Sequence, residues 1–485
     1  MMWEHCGHSL DVARLRGAAY ADVRVMYQRQ RDLTTKNGRV GTLGQSESIG
    51  LGIRVIAHGA WGFASTDVLT REGVAACAAQ AVAIAKASAL AKKEDVQLAP
   101  EATYVDSWQS PFQKDPFEMP LETQLALLLA ADEAMRRVKG VTLTETDMQF
   151  RKVDTWFASS EGSKIHQRRV VSGCGIVATC FKGDAIQKRS YPNSFGGQHI
   201  LGGYELIESL NLVKHAPRVG EEAVALHSAA QCPEGEFDLI LDSSQLGLQI
   251  HESIGHPIEL DRVLGTEANY AGMSFLTLDQ LCRLRYGSEI VNVVCDARLE
   301  HGPGLGTFAF DDEGVPAQQT DIIRAGEFSG YMTSRETAAA VGEARSNGCM
   351  RADGWARLPL IRMTNVSLLA GEQSLEEVMG ADHAIYMETN RSWSIDDKRY
   401  NFQFGCEIAW EMRHGKRVRM LKNPSYSGIS TEFWNACAAI AGREHWTLWG
   451  VPNCGKGQPE QVMGTGHGAS PARFRKIKIG SAYAG

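Results

Sequence analysis

The segment HESIGHP, residues 251–257, limits what the middle of this chain can fold into. His251 and His256 are five positions apart, and on a regular α-helix such side chains point roughly 140° away from each other. An unbroken helix would therefore not aim both imidazoles at one ion. Pro257 also has no N–H to donate to the Ser253 carbonyl, and its ring would clash with that carbonyl in a continuing helix. We therefore expect the helix to change its geometry here.

Two small features of this segment favour a helix that widens or ends just after Gly255. Glycine supplies backbone freedom, and a residue that precedes proline is disfavoured in the α region, so His256 is expected outside it. A π-type turn is one geometry that brings residues five apart to the same face. In either case His256 would turn back towards His251, and a straight α-helix through Pro257 would contradict the idea.

Two histidines beside a glutamate are typical of a zinc peptidase. Such sites need two or three neutral imidazole or thiolate ligands, an open coordination position and a carboxylate near the bound water. Glu252, next to His251, is placed to act as general base and then to protonate the leaving amine. The alternative is a surface glutamate on an amphipathic helix, because so short a pattern also occurs by accident.

Composition excludes several classes of protein. Charged residues make up 22% of the 485 residues and the net charge is -7, with no long basic run, so nucleic acid and anionic membranes are not expected partners. The first residues have no signal-peptide pattern. The most apolar helical run, residues 73–91, is interrupted by Gln80 and Lys86 and is not expected to span a membrane. Eleven cysteines without a CxxC pair indicate a reducing, cytoplasmic location.

The first part of the chain alternates between strands and helices. Residues 22–66 have the pattern of strands, with a turn signal at Asn37 and Gly38. An alanine-rich helix is expected over residues 70–92. A second helix is expected to begin near Pro120, since proline suits the first helical turn.

The middle of the chain repeats the same order of elements. Residues 141–192 are predicted to be strands and residues 203–229 helical. Residues 229–238 contain proline and glycine and are predicted to be a linker. A strand over residues 237–241 then leads into Asp242, a good N-cap for the helix that carries the two histidines.

These patterns predict an α+β fold of three domains. Residues 1–115 and 116–230 would form two α+β modules built from strands and a helix. Residues 231–485 would form a β-rich C-terminal domain that carries the helix with the metal site.

Several longer segments resemble one protein family. They are HESIGHPIELD, FAFDDEGVPAQQTDIIRAGEFSGYM, LIRMTNVSLLAG, HGKRVRMLKNPSYSG and CGKGQPEQVMGTGHG, with GLGIRVIAHGAWGFAST in the first third. In order and over most of the chain they resemble the TldD/PmbA family, in particular its metal-bearing TldD-like branch. The resemblance implies a zinc metallopeptidase with one Zn²⁺ per active chain, cleaving unfolded or extended peptides. It also implies a dimer of identical or related chains that encloses the site.

The resemblance also implies the remaining site residues. The third zinc ligand of the family corresponds to Cys454, which a Gly-Lys stretch follows. Cys406 is the competing candidate, and the residues alone do not decide between the two. Asn365, in RMTN, is expected to contact substrate. His467 either lines the substrate pocket or is a turn residue.

Some alternatives stay open at this point. The chain could be a non-enzymatic partner or modulator subunit with a structural metal, or Cys454 could do thiol redox chemistry. Glu259 or Asp261 could accept a hydrogen bond from the second ring nitrogen of a ligand histidine, or both could be solvated. The acidic run at residues 311–313 is read as a hairpin turn, because Gly314 follows it.

Overall fold

The structure, a computed structural model, describes residues 1–270, 272–457 and 459–481. It has the predicted α+β class, with a strand-rich C-terminal part. The α-helices are α1 (Met2–Leu15), α2 (Arg71–Ser88), α3 (Leu121–Arg136), α4 (Tyr204–Ser209), α5 (Leu212–Ala225), α6 (Ser243–Ile250), α7 (Leu260–Val263), α8 (Leu375–Met379) and α9 (Ser430–Asn435). A π-helical turn spans His251–Gly255, and short 3₁₀ turns span Leu278–Gln280, Leu299–His301, Ala338–Val341 and Arg443–His445.

Within the described residues the strands fall into two large sheets and three small ones. In chain order they are β1 (Tyr20–Lys36), β2 (Arg39–Ala57), β3 (Ala60–Thr66), β4 (Val105–Gln109), β5 (Leu143–Ser159), β6 (Lys164–Lys182), β7 (Ala185–Tyr191), β8 (Gln198–Leu201), β9 (Ala230–Gln231), β10 (Gly235–Leu241), β11 (Val293–Asp296), β12 (Gln319–Arg324), β13 (Glu327–Phe328), β14 (Met350–Arg351), β15 (Leu360–Ile361), β16 (Val366–Leu368), β17 (His383–Ile395), β18 (Asn401–Arg413), β19 (Lys416–Lys422), β20 (Pro424–Ile429), β21 (Cys437–Ile440), β22 (Thr447–Lys456), β23 (Gln461–Ala469) and β24 (Ala472–Ser481).

One sheet joins the strands of the first 230 residues, in the order β3-β2-β1-β5-β6-β4, with β7 and β8 also paired to β6. The β1–β2 hairpin turns at Asn37 and Gly38, as predicted, and both have the positive φ that a two-residue turn requires. β1 also pairs antiparallel with β5 from Asp22↔Ser159 to Lys36↔Glu145. The two predicted N-terminal modules therefore share a sheet, and a boundary near residue 115 stays a prediction.

The helices of this part cover the sheet as two separate cores. Thr70 caps α2, which buries its small apolar residues together with α1 and the ends of β1 and β2. α3 begins after Pro120, as predicted, and packs with α5 over β5 and β6. None of the helices within the described ranges is both long and apolar enough to cross a membrane.

The second large sheet belongs to the C-terminal part and has the order β17-β10-β24-β20-β18-β19-β9, with β21 on β24. The prediction of a linker over residues 229–238 is wrong at both ends. Ala230 and Gln231 pair in parallel with the end of β19, and β10 already begins at Gly235. Backbone hydrogen bonds to the sheet thus hold a segment whose proline and glycine suggested a free connection.

Buried ion pairs connect the two parts of the chain. Arg54 of β2 contacts Asp22 at 2.6 Å and Glu313 at 3.3 Å, and all three are buried. Arg189 of β7 contacts Glu407 of β18 at 3.2 Å. Because a buried charge is costly without its partner, these pairs fix how the first sheet sits on the C-terminal part.

Candidate metal centre

The helix α6 starts the site. The carboxylate of Asp242 accepts the backbone N–H of Gln245 at 3.0 Å, which confirms the predicted N-cap. The Gln245 side chain does not complete a capping box, since its amide donates to the Tyr426 hydroxyl at 2.9 Å. The apolar residues that recur every four positions are fully buried against the C-terminal sheet: Leu246, Ile250 and Ile254.

The helix widens at the predicted place. The backbone N–H of His256 donates to the His251 carbonyl at 3.1 Å, a five-residue step that defines a π turn. One part of the expectation is wrong, because His256 keeps helical dihedrals, with φ -67° and ψ -41°. The wider turn gives the ring of Pro257 room that a regular turn lacks, so the residue before it stays helical.

The carbonyl that Pro257 leaves without a helical donor is satisfied from another segment. The Tyr286 hydroxyl donates to the Ser253 carbonyl, and both residues are buried. Trp434 donates its indole N–H to the Ser253 hydroxyl at 2.9 Å. An unsatisfied buried carbonyl would destabilise the π turn. These contacts from other segments therefore stabilise it.

The widened turn, with a distant hairpin, forms a group of three candidate ligands. The ligand atoms of His251, His256 and Cys454 all lie within 4.8 Å of one another, and all three residues are buried. The Cys454 Sγ is 3.6 Å from the His256 Nε2. A nitrogen and a sulfur on one tetrahedral zinc are about 3.5 Å apart. The donor set and this spacing therefore fit zinc.

Cys406, the competing cysteine, lies elsewhere. It is fully buried in the apolar core on β18, and burial raises the pKa of its thiol well above the usual value. For Cys454 the opposite holds. Burial would raise the pKa of its thiol, but the positive charge of Arg362 and the interaction with His256 outweigh it and lower the pKa. Cys454 is the one that can readily provide a thiolate.

His467 determines which nitrogen of His251 faces the other ligands. Its Nδ1 lies 3.0 Å from the Val366 carbonyl, which only an N–H can satisfy. Its Nε2 is then an acceptor and lies 2.8 Å from the His251 Nδ1. His251 therefore carries its proton on Nδ1 and keeps a lone pair on Nε2. Burial lowers the pKa of His251 to about 4, so the ring is neutral at neutral pH.

His467 thus lies on β23 behind a candidate ligand, with its ring fully buried. It is a strand residue and not a turn residue, and a place in a substrate pocket stays a prediction that these contacts do not support. The sequence offered one signal, a histidine in a short glycine-rich strand near Cys454, but not its orientation.

His256 is oriented in the same way by Glu259, whose Oε2 lies 3.0 Å from the His256 Nδ1. Burial would raise the pKa of Glu259, but Lys456, His256 and Arg262 outweigh it and hold the pKa well below the usual value. Asp261 instead pairs with Lys456 at 2.7 Å. The alternative of two solvated acids is therefore wrong.

Glu252 is buried beside the ligand group and has a partner that the sequence did not indicate. Arg399 places its Nη1 2.9 Å from the Glu252 Oε2. Arg399 has a φ of 64°, unusual for a residue with a side chain. No spacing pattern joins the two, since the loop before β18 brings Arg399 in from another part of the chain.

Asn365 is close to the centre but faces the protein. Its Oδ1 accepts the Gly306 N–H at 3.0 Å, and its Nδ2 donates to the Asp296 carbonyl at 2.9 Å and the Thr307 hydroxyl at 2.8 Å. The residue is fully buried. In this structure it holds a loop together, and contact with substrate stays a prediction that these bonds do not support.

The acidic run at residues 311–313 forms the expected turn. The Asp311 carboxylate accepts the backbone N–H groups of Glu313 and Val315 at 2.9 and 3.0 Å, and Gly314 has a positive φ of 76°. The run therefore shapes a hairpin, and its other carboxylates reach β1 and β2, with Glu313 3.3 Å from Arg54 and Asp312 3.5 Å from Arg24.

Two imidazoles and a thiol next to a buried glutamate, at a widened helix, define a metallopeptidase-type protein. Residues 21–85, 114–230 and 234–481 match domain 1, the central domain and the C-terminal domain of the PmbA/TldA metallopeptidases. The chain belongs to this family.

Relatives with curated names agree with this class. A metalloprotease of Methanocaldococcus jannaschii is 27% identical over 413 residues, 84% of this chain and 86% of the relative. A zinc metalloprotease TldD homolog of Saccharolobus solfataricus is 24% identical over 470 residues, 96% of this chain and 97% of the relative. The crystal structure of TldE from Thermococcus kodakarensis has the same fold, with a TM-score of 0.70 at 16% identity, over 98% of this chain and 99% of that one.

Proposed function

We propose that this chain is a zinc-dependent peptidase that cleaves extended peptides, with Glu252 as general base. The observation that carries the proposal is the arrangement of His251, His256 and Cys454, whose free ring nitrogens and acidified thiol converge beside the Glu252 carboxylate. When bound there, zinc would supply Lewis acidity to a water and to the scissile carbonyl.

The chain's own groups would then move the protons. Arg399 binds one oxygen of Glu252, which leaves the other free to take a proton from the attacking water and to pass it to the leaving amine. His467 and Glu259 keep the rings of His251 and His256 in the tautomer that exposes Nε2. Burial of these side chains excludes bulk water from the ligands.

The hairpin that carries Cys454 supports an extended substrate. β22 and β23 form a two-stranded sheet. The Gln198 side chain bonds to the Leu448 carbonyl and to the Gly450 N–H on the outer edge of β22. The part of this edge next to Cys454 has no strand partner among the described residues. Asn453, next to Cys454, is exposed. An extended peptide can pair with such an edge through its backbone, which a folded chain cannot do.

A dimer of this chain with itself or with a related chain belongs to the proposal, and so does a cytoplasmic location. The support for the dimer is the likeness to a family in which paired chains enclose the site. Its test is the mass of the purified protein in sedimentation.

A modulator subunit with a structural metal is the second candidate. Structural zinc sites are usually closed by four protein ligands. Among the described residues, the group at this centre has three members, and His467 bonds to His251 instead of joining them. An open fourth position favours the peptidase.

The test is zinc content per chain by elemental analysis for the wild type, Cys454→Ser, Cys406→Ser and Glu252→Gln, together with turnover of an unfolded protein. We expect about one zinc in the wild type, loss of zinc in Cys454→Ser only, and a Glu252→Gln protein that keeps zinc and loses turnover. Zinc-loaded wild type without any turnover would favour the modulator. Loss of zinc in Cys406→Ser alone would contradict the ligand set.

A further inference from the structure

A cavity of about 640 Å³ lies between the first sheet and the hairpin that carries Cys454. Its walls come from β5 and β6 on one side and from β22, β23 and the segment around Arg351 on the other. None of the candidate ligands and neither Glu252 nor Arg399 lines it. The cavity is therefore next to the metal centre but separate from it.

Arg169 is a cation in this wall without an anion. It is half-buried on β6, and among the described residues no hydrogen bond or ion pair reaches its guanidinium. The neighbouring Arg168, by contrast, has Asp154 at 2.9 Å. A half-buried guanidinium that no protein acceptor contacts is free to bind an anion, and its fork-shaped donors suit a carboxylate.

Two further arginines of the cavity have no carboxylate partner among the described residues. Arg351 donates to the carbonyls of Met363 and Leu305 at 2.6 and 3.1 Å. Arg151 donates to the Asp353 carbonyl at 2.7 Å. Burial, and then the charge of Arg169, lower the pKa of Arg351 to about 9 and that of Arg151 to about 10. Both remain charged at neutral pH, so the wall is crowded with cations.

The acidic residues in and near the cavity offset these cations only in part. The Asp353 carboxylate accepts the Val462 N–H at 2.9 Å. Burial, and then the charge of Asp32, raise the pKa of Asp147 to about 7, so its carboxyl is about half protonated at neutral pH. Asp312 lies near Arg169 but contacts Arg24 at 3.5 Å. With three arginines against two aspartates, the lining keeps an excess of positive charge.

A buried histidine without partners also faces the cavity. His199 of β8 is 2% exposed, and neither ring nitrogen has a hydrogen-bond partner among the described residues. Buried polar groups in native proteins are nearly always satisfied by protein, water or ligand. An imidazole N–H in this wall can donate to an anion that the arginines attract.

Few residues separate the cavity from the metal centre. Met463, which lines it, is the cross-strand partner of Cys454. Arg351 donates to the backbone of Met363, whose sulfur packs so closely on Gly255 that a side chain there would not fit. The cavity therefore adjoins the residues that carry the candidate ligands.

We propose that this cavity binds a carboxylate of the peptide substrate, with Arg169 as its main contact and Arg351, Arg151 and His199 as support. The inference rests on the proposed peptidase function, because it treats the cavity as part of a peptide site. The carboxylate is either the C-terminal group of the peptide or the side chain of Asp or Glu.

The test measures binding to zinc-loaded Glu252→Gln protein, which holds peptide without cleaving it. Three fluorescein-labelled peptides of one sequence would be compared by anisotropy: one with a free C-terminus and no acidic side chain, one amidated, and one amidated with a single Glu. We expect one or both carboxylate-bearing peptides to bind about tenfold or more tightly than the neutral amide.

Arg169→Gln, in the same protein, should remove most of that preference and leave the amidated peptide unaffected. Arg169→Lys should keep part of it, and Arg168→Gln, one residue away and already paired, should keep all of it. Circular dichroism of each variant checks the fold. The difference between the two carboxylate peptides identifies the source of the group.

Equal binding of all three peptides, or a preference that Arg169→Gln and Arg169→Lys both leave intact, would overturn the inference even if the wild type cleaves peptides. Selective binding that depends on Arg169, in a protein whose wild type turns over no peptide, would instead contradict the proposed function and leave the carboxylate site standing. No binding of any peptide would overturn the inference.

Discussion

Arg399 Nη1 lies 2.9 Å from Glu252 Oε2, so the carboxyl proposed as general base is held in a partly buried ion pair. The Arg399 Nε is also buried and has no partner among the described residues. A cation with a spare donor beside the reacting bond can stabilise negative charge that develops on the carbonyl oxygen. It also fixes which Glu252 oxygen faces the water.

Replacing Arg399 by Gln should lower kcat about 100-fold, since loss of one donor to a developing oxyanion has effects of this order. Zinc content should stay near that of the wild type, because Arg399 contacts no ligand. Lys398→Gln, at an exposed neighbour, serves as the control. Loss of zinc together with activity would instead show that Arg399 supports the fold of the centre.

Removing the His467 ring should weaken zinc binding without removing a ligand. In His467→Ala the His251 Nδ1–H loses its acceptor, and the ring is free to rotate or change tautomer. We expect the Kd for zinc to rise about 10- to 100-fold, as for other partners of ligand histidines. Competition with a coloured chelator measures it, and His383→Ala, on a partly exposed ring, is the control. An unchanged Kd would refute the orienting role.

The Tyr286 hydroxyl should matter for stability because it replaces a missing helical donor. Tyr286→Phe leaves the Ser253 carbonyl buried and unsatisfied, which costs about 1–3 kcal/mol in the free energy of unfolding. Urea denaturation gives this value. Tyr27→Phe, which loses an exposed bond to Glu47, should change it by less than about 0.5 kcal/mol. Equal effects would mean that the π turn does not depend on this contact.

His199 should make the protein lose stability in mild acid. Burial lowers the pKa of His199 from 6.5 to about 4. Between these two pKa values the unfolded chain binds a proton at this histidine and the folded chain does not. The free energy of unfolding therefore keeps the whole His199 contribution above about pH 6.5 and loses it as the pH falls towards 4. His199 contributes at most about 3 kcal/mol to this change in the free energy of unfolding. In His199→Gln the unfolding free energy should fall less steeply over this range, and parallel curves for the two proteins would contradict the prediction.

Rules that depend only on neighbouring residues were sufficient to predict most of the backbone geometry at the metal centre. The steric demands of Pro257 and the freedom of Gly255 predicted the widened turn, and Asp242 predicted the helix start. The prediction that His256 leaves the helical region was wrong, because the rule for residues before proline assumes a regular helix. The hairpin at Asn37 followed from turn chemistry alone.

Contacts between segments that are distant in the sequence could not be predicted from such local rules. Arg399 lies 147 residues from Glu252, and no periodicity relates the two. Lys456 is two residues from Cys454, so the sequence places it near the centre. Its bond to Asp261 could not be predicted, because it depends on how β22 packs against the widened helix. The pairing of β1 with β5 was missed for the same reason, since strand partners are chosen by the whole sheet.

His256 and Cys454 are 198 positions apart, which has a consequence for the order of synthesis. A growing chain has made both histidines and Glu252 long before the ribosome reaches the hairpin of β22 and β23. Because the third candidate ligand is made so late, the group of three cannot assemble until most of the chain has been synthesised. Metal loading is therefore expected to follow synthesis of nearly the whole chain.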